Sequence, residues 1–149
     1  MKLAAPLIIA AHVAHLPTLT GWSGVDVYEG QVTSRDAATR YVTVGYVAGI
    51  DGPTVHVAPV TDGQRKNRET GSVGCALVVA DTDIAAARAA VFGLLEPWAE
   101  WVATDRSLAG VLLADSVVEL VADVALITTR AGATATATVT LTYTAHTYG

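Results

Sequence analysis

His12 and His15 are the first residues in the sequence whose type and spacing could do chemistry. Two histidines three positions apart lie on one face of a helix, where their imidazoles could bind a metal ion. A metal site needs at least three protein ligands, and the nearest acids, Asp26 and Glu29, fall in a different predicted element. We therefore expect solvated or partly packed histidines and no metal site.

The run Asp81-Thr82-Asp83 is similar to a short acidic metal-binding motif. It also lies where a predicted strand ends and a predicted helix begins. Asp81 or Thr82 can cap that helix, and Asp83 in its first turn can face the positive end of the helix dipole. Capping explains all three residues and is the preferred interpretation.

Three further candidates for chemistry lack the neighbours that they would need. The segment 71–74, Gly-Ser-Val-Gly, has no Gly-Lys-Ser/Thr ending and leads into a strand, so it indicates a bulge or a close backbone approach. Cys75 has no neighbouring His or Arg to activate it, which predicts a buried, inert thiol. His56 lies between two valines without an acid pattern. The sequence thus predicts no catalytic residue and no cofactor.

The only basic cluster in the sequence consists of Arg65, Lys66 and Arg68, with Asn67 between them. Charge runs of this kind are usually solvated loops. The alternative is a flexible arm that docks on an acidic partner or faces a polyanion. Both interpretations are open on the sequence.

The composition limits the classes of function. The chain has 149 residues, 52% hydrophobic and 15% charged, which predicts one folded domain over 1–149. Its formal net charge of −5 argues against general nucleic-acid binding. The sparse charge also suggests that a partner covers part of the surface. The apolar run near the N-terminus is far shorter than the roughly 20 residues of a membrane span, and a cleaved signal peptide is the less favoured alternative to a first helix.

The first half of the sequence predicts a helix and three strands. Apolar residues at helical spacing predict a helix over 4–16, which Pro17 ends. Period-two alternation predicts strands over 25–28, 40–47 and 69–80.

Between the second and third of these strands, turn signals predict an extended loop over 49–69 that contains the basic cluster. After the third strand, an apolar stripe at 3.6-residue spacing predicts the main helix over 83–103. Pro97 lies inside that stripe, so we expect a kink or a break near Gly93.

The clearest pattern closes the sequence. Apolar residues at every second position from Val118 to Leu126 share one face, and beyond a turn at 130–132 a second alternating strand follows. Its hydroxyl face, which could contact a neighbouring subunit, is formed by Thr134, Thr136, Thr138, Thr140 and Thr142. The elements together predict an α+β fold: an antiparallel sheet of four to five strands with a long C-terminal hairpin, packed against one main helix and an N-terminal helix.

Several local patterns succeed one another in a familiar order. A Val-Gly pair, Val44-Gly45, comes after the first strands, and a strand that begins near Arg68-Glu69 leads into an Asp-containing cap and an Ala/Arg-rich helix. An Asp-x-x-Leu-x-Gly turn comes next at 105–110, and a hairpin with Gly132 at its turn closes the domain. Over residues 42 to 143 the chain resembles the tail terminator proteins of long, non-contractile-tailed bacteriophages, particularly those of actinobacterial hosts. Pro97 and the threonine-rich last strand depart from the family pattern.

The resemblance implies a structural protein and not an enzyme. Terminators form a ring, typically a hexamer, that caps the tail tube at full length, stops further tube subunits from adding and offers a surface to the head connector. The implied partners are further copies of the chain, the tail tube protein and the head–tail connector or neck protein. DNA passes through the ring without specific binding, and no membrane is involved. The implied location is the head-proximal end of the virion tail, after assembly in the host cytoplasm.

Three alternatives accompany this expectation. The chain could be another neck or tail-completion protein, such as a head-closure factor or a tube subunit. It could be a small ligand-binding or enzymatic α+β domain, in which case a deep pocket should lie near His12, His15 or His56 with acids nearby. A secreted or cell-surface module would rest on the signal-peptide interpretation of the N-terminal segment.

Overall fold

The computed structural model describes residues 3–32, 39–48, 54–61, 66–129 and 132–148. They form two α-helices and a six-stranded sheet, so the predicted α+β fold is confirmed. A single 3-10 turn, Leu16–Thr18, follows the first helix. In chain order the elements are α1 (Ala4–His15), β1 (Asp26–Glu29), β2 (Arg40–Val44), β3 (Val55–Thr61), β4 (Lys66–Asp81), α2 (Ile84–Thr104), β5 (Val117–Thr129) and β6 (Gly132–Tyr148).

The sheet has the strand order β1-β2-β4-β6-β5, and β3 also pairs with β4. All neighbours are antiparallel except β1 and β2, which run parallel. Because β4 is 16 residues long, two strands share one of its edges: β3 pairs with residues 67–73 and β2 with residues 75–79. The long pairing of β5 with β6 is the predicted C-terminal hairpin.

The structure differs from the sequence-based expectation at the predicted loop. Residues 55–61 form β3 and residues 66–69 begin β4, so most of the described part of 49–69 is sheet. The strand was hidden because Pro59 interrupts the alternation that begins at Val55-His56-Val57. Proline is tolerated in β3 because that strand lies at an edge of the sheet. This difference accounts for the sixth strand, beyond the four to five predicted.

Of the kink or break predicted near Gly93, the break is wrong, since α2 continues from Ile84 to Thr104 through Pro97. A proline inside a helix removes one hydrogen bond and crowds the carbonyl four residues earlier, here that of Gly93. Gly93 is exposed and a Cβ there would meet nothing within 4 Å, so the crowding falls on an open side of the helix. The helix is held by the burial of Leu94, Leu95, Trp98, Trp101 and Val102.

The hydrophobic core lies between one face of the sheet and the two helices. Along β6 the odd-numbered residues from Ala133 to Ala145 are all buried, which confirms the predicted alternation. Alanines at four of these positions let the helices approach the sheet closely. Trp22, which follows α1, is fully buried and its indole N–H donates to the carbonyl of Leu94 at 3.1 Å. The core is therefore continuous from the N-terminal segment to the last strand.

Glu69 attaches α1 to the sheet. Its buried carboxylate accepts hydrogen bonds from the backbone N–H groups of Ala4 at 2.9 Å and Ala5 at 3.1 Å, and from the hydroxyl of Tyr143 at 2.6 Å. The residue at the N-cap of α1, Leu3, makes no side-chain cap hydrogen bond. A carboxylate 65 positions away in sequence therefore caps the helix and faces the positive end of its dipole.

We expect Glu69→Gln to lower the free energy of unfolding by about 2–3 kcal/mol, because one amide oxygen replaces a carboxylate that accepts three hydrogen bonds. Tyr143→Phe should cost about 1–2 kcal/mol, since it removes one of the three donors. Urea denaturation followed by circular dichroism measures both. Glu119→Gln, at an exposed position on β5, is the matched control and should change stability by less than about 0.5 kcal/mol. A Glu69→Gln protein as stable as the control would contradict the anchoring role.

Candidate functional site

The sheet surface that faces away from the helices is the candidate contact surface, and we call it the threonine face. On β6 it carries the even-numbered threonines, as the alternation predicted. Thr134, Thr136, Thr138 and Thr140 are half-buried, whereas Thr142 is exposed. The five predicted positions thus lie on one strand and one face, but the first four are partly covered.

Part of that cover is the chain itself, which crosses the threonine face after β2. Thr43 donates from its hydroxyl to the carbonyl of Tyr46 at 2.8 Å, and Thr54 donates to the carbonyl of Gly45 at 3.0 Å. Between the crossing segment and the sheet lies an open cavity of about 500 Å³. Its described lining consists of Gln31, Val32, Tyr41, Thr43, Tyr46, Val47, Ala48, Ala76, Val78, Thr134, Thr136 and Thr138.

The chemistry of this cavity is that of hydroxyl groups and apolar side chains. Among the described lining residues there is no histidine, no cysteine and no carboxylate. The pocket that an enzyme-like alternative requires, near His12, His15 or His56, is therefore not this one. A hydroxyl-lined surface can donate and accept hydrogen bonds but offers no group that titrates near neutral pH.

Two glycines of β4 permit close backbone approaches, as the sequence indicated. A Cβ on Gly74 would lie 3.1 Å from the carbonyl oxygen of Thr54, and the N–H of Gly74 donates to that oxygen at 2.7 Å. A Cβ on Gly71 would collide with the carbonyl of His56 and the hydroxyl of Tyr143. The first glycine admits the crossing segment, and the second leaves room for the hydroxyl that reaches Glu69.

The predicted basic segment is only partly described. Arg65 lies outside the described residues, as do the side chains of Lys66 and Asn67, whose backbones belong to β4. Arg68 is exposed, and in the sheet it stands between Val60 of β3 and His146 of β6. The described part of the segment is therefore the start of a strand and not the end of a loop. Its contact with a partner stays a prediction.

The two histidines of α1 pack against the tryptophans of α2. His12 is fully buried, with its ring centroid 5.9 Å from that of Trp98 and 4.8 Å from that of Trp101. His15 stacks on Trp101 at 4.2 Å. For His12 the expectation of a solvated or partly packed side chain is wrong, because α1 turns this polar position into the core. His12 and His15 are three residues apart, as are Trp98 and Trp101, so each pair lies on one face of its helix. This shared spacing is the feature of the sequence that could have indicated the contact.

His12 is held as a neutral imidazole. Its Nδ1 pairs with the carbonyl of Ile8 at 2.8 Å, while its buried Nε2 has no hydrogen-bond partner among the described residues. Burial lowers the pKa of His12 to about 4, and the charge on His15 acts in the same direction. In the described part of the chain, no group of three or more His, Cys, Asp or Glu side chains could hold a metal ion.

The remaining candidates for chemistry have structural roles. Cys75 is buried, and burial raises the pKa of its thiol to about 12, which fits an inert thiol. Asp83 is the N-cap of α2 and accepts from the N–H of Ala86 at 2.7 Å, so capping is confirmed but lies one or two residues later than predicted. Asp81 instead accepts from the N–H of Thr82 and lies 3.8 Å from Arg40.

The Asp-x-x-Leu-x-Gly motif at 105–110 forms a tight turn organised by Asp105. That carboxylate accepts from the hydroxyl of Ser107 at 2.7 Å, from the N–H of Ala109 at 2.8 Å and from the indole of Trp101 at 3.3 Å. Leu108 and Ala109 have φ values of 46° and 60°, which residues with side chains rarely adopt. Hydrogen bonding, first from the N–H of Ala109, lowers the pKa of Asp105. The motif thus holds a strained turn against the end of α2.

We expect the free energy of unfolding to fall as the pH is lowered from about 6.5 towards 4. Over that range the unfolded chain protonates the His12 imidazole, but the folded chain keeps it neutral. The loss should reach roughly 2 kcal/mol by about pH 5 and about 3 kcal/mol in full. Urea denaturation of the wild type and of His12→Leu, compared at each pH, isolates this contribution.

The control is His56→Gln, at an exposed histidine, which should keep the wild-type pH dependence. If the free energy of unfolding falls by the same amount in the wild type and in His12→Leu as the pH is lowered, His12 is not neutral and buried.

A scan against protein-family models and a search of curated proteins each found no match to this chain. No helix in the described residues is long and apolar enough to cross a membrane.

Proposed function

We propose that this chain is the tail terminator of a long, non-contractile-tailed bacteriophage. In this role several copies, most simply six, form a ring on the completed tail tube. The ring stops the addition of tube subunits and offers the surface to which the head connector binds. The observation that carries the proposal is the order of motifs over residues 42 to 143, which is the order found in terminators.

The geometry of these motifs supports the proposal. In the turn at 105–110, hydrogen bonds to the Asp105 carboxylate hold a strained backbone in place. The residue types of this turn therefore reflect its backbone conformation and not helix or strand propensity. It links the end of α2 to the closing hairpin of β5 and β6. A motif with such a specific local role is a stronger point of resemblance than a matching hydrophobic pattern.

The charge and the residue chemistry also fit an assembly role. A net charge of −5 suits a ring through which DNA must pass without being retained, because a basic lumen would hold the phosphate backbone. His12, His15 and Cys75 serve packing, and Asp83 serves capping. We therefore place the function in the surfaces that the fold presents to other subunits, at the head-proximal end of the tail.

Electron microscopy tests this proposal directly. The chain is mixed with tubes polymerised from the tail tube protein of the same phage, and tube ends and lengths are recorded. A terminator should add one ring to a tube end and halt elongation, so tube length should stop growing once the chain is added. Open-ended polymers of the chain itself would identify a tube subunit instead. A chain that never binds tube ends, or binds them without halting growth, would refute the proposal.

Neutralising the basic segment should weaken assembly without unfolding the protein. We expect the triple change Arg65→Gln, Lys66→Gln and Arg68→Gln to reduce ring binding to tubes by at least about tenfold if the segment contacts an acidic partner surface. If the segment acts only through contact with a partner, the melting temperature should stay nearly unchanged, because substitutions outside the core usually alter stability by less than about 0.5 kcal/mol.

The matched control for the triple change is Arg88→Gln, an exposed arginine on α2 away from the threonine face. Unchanged tube binding by the triple variant would remove the segment from the interface. A large fall in its melting temperature would assign the segment a structural role within β4.

A further inference from the structure

β5 is an open edge of the sheet. Among the described residues it pairs with β6 alone, over its full 13 residues. An open edge presents unpaired N–H and C=O groups that can accept another strand. The opposite side of the sheet is blunted, because β1 is only 4 residues long and β3 contains Pro59, which has no N–H to donate.

The hydrogen-bonding pattern identifies which β5 residues direct their backbone groups outward. His146 directs its N–H and C=O towards the β5 side, where they pair with the hydroxyl of Ser116 at 2.9 Å and the N–H of Leu113 at 3.1 Å. This direction recurs at every second residue of a strand, so even-numbered residues of β6 bond to odd-numbered residues of β5. The even-numbered residues of β5, with Val124 near the middle, therefore direct their N–H and C=O groups to the open edge.

The side chains of β5 are apolar and poorly covered on both faces. On the threonine face Val117, Val121 and Ile127 are 47%, 54% and 58% exposed. The helix-facing side chains Leu120, Ala122, Val124 and Leu126 are only half-buried, although the odd-numbered residues of β6 beside them are buried. The hydrophobic core thus leaves the apolar side chains of β5 only partly covered, which is typical of a surface that a partner covers.

We propose that β5 pairs antiparallel with β5 of a second copy of this chain, across a twofold axis at Val124. Val124 then lies opposite Val124 of the second copy, and Val121 lies opposite Ile127. Even-numbered residues meet even-numbered residues, so the outward N–H and C=O groups of both strands form the hydrogen bonds. The half-buried apolar residues on the helix side of both copies come together, and the two sheets become one.

The positions of the two acids on β5, together with the length of the strand, favour this register. In the proposed pairing Asp123 lies opposite Ala125 of the second copy, and neither acid lies opposite an acid. An axis at Asp123 would set two carboxylates face to face, and an axis at Val121 would set Glu119 opposite Asp123 of the second copy. Like charges directly opposite one another destabilise a strand pair. The proposed axis leaves Asp123 diagonal to Asp123 of the second copy, and an axis at Ala122 is worse, since it keeps that contact and adds Glu119 diagonal to Asp123. Axes at Ala125 or Leu126 avoid both contacts but shorten the paired stretch, because β5 ends at Thr129.

This pairing is independent of the proposed function. It joins the same surface on both copies, whereas a ring is built from head-to-tail contacts between different surfaces. It describes the free chain before assembly on a tube, so it can fail without affecting the ring and the ring can fail without affecting it.

Cysteine substitution tests the register. Val124→Cys should form a disulfide-linked dimer on mild oxidation, because Cα atoms directly opposite in a hydrogen-bonded pair are about 5.5 Å apart, within disulfide range. Val121→Cys is the matched control, since it lies on the same strand but opposite Ile127 of the second copy. Cys75 is present and buried in both proteins. Non-reducing electrophoresis should show at least about tenfold more dimer for Val124→Cys, as expected for a position-specific contact; equal or absent crosslinking would overturn the proposal.

Sedimentation equilibrium tests the pairing without crosslinks. The wild type should be a dimer, and Val124→Pro should be a monomer with an unchanged circular dichroism spectrum, because proline removes only an outward N–H. Val121→Pro removes an N–H bonded to β6 and should instead lower the melting temperature. A wild-type chain that stays monomeric at about 100 μM, where even a micromolar complex is mostly assembled, would refute the pairing.

Discussion

The position of α1 depends on one buried carboxylate. The carboxylate of Glu69 accepts hydrogen bonds from two backbone N–H groups in the first turn of α1 and from the hydroxyl of Tyr143 on β6. The N-cap residue of α1, Leu3, provides no side-chain acceptor for these N–H groups. Burial and the neighbouring carboxylate raise the pKa of Tyr143, so its hydroxyl keeps the proton that it donates. Because α1 is apolar on nearly all sides, burial alone would not determine its rotation. The carboxylate at one end and the stacking of His12 and His15 on Trp101 near the other determine it together.

The two faces of the sheet have different tasks. The helix side is closely packed, with small side chains on β6 against the large ones of α2. The other side is partly covered by a crossing segment near Tyr46, and it presents hydroxyl groups on β6 and exposed apolar side chains on β5. This division explains how a chain with so few charged residues can fold tightly and still retain the surface that we propose contacts other subunits. It also separates stability, which resides in the helix side, from recognition, which we assign to the threonine face and the β5 edge.

Elements with a clear periodicity could be predicted from the sequence, whereas features that depend on contacts between distant residues could not. The alternation of β6 and the apolar stripe of α2 were sufficient to predict the hairpin, the main helix and the fold class. β3 was missed because Pro59 and the adjacent turn signals outweigh its valines. The predicted helix break is wrong because a local rule for Pro97 ignores the packing around Trp98 and Trp101.

The candidate site divides in the same way. Residue patterns treat His12 and Glu69 as polar surface positions, and only the folded chain brings them into the core. The threonine row of β6 was predicted because its alternation is local. The segment that covers half of that row was not predicted, because its position depends on hydrogen bonds from Thr43 and Thr54 that no spacing in the sequence indicates.

The order of strands has a consequence for how the protein is made. β6 lies between β4 and β5 and supplies one wall of the core, yet it follows all the other described strands in the chain. β4 pairs with β6 along all 16 of its residues, and α1 reaches its final anchor only when Tyr143 is present. Such long-range pairing is slow to form, because distant parts of the chain must meet before any contact stabilises them. Until residue 148 has left the ribosome, the core lacks the buried face that β6 supplies beside β4. The complete core can therefore form only after residues 132–148 have been synthesised.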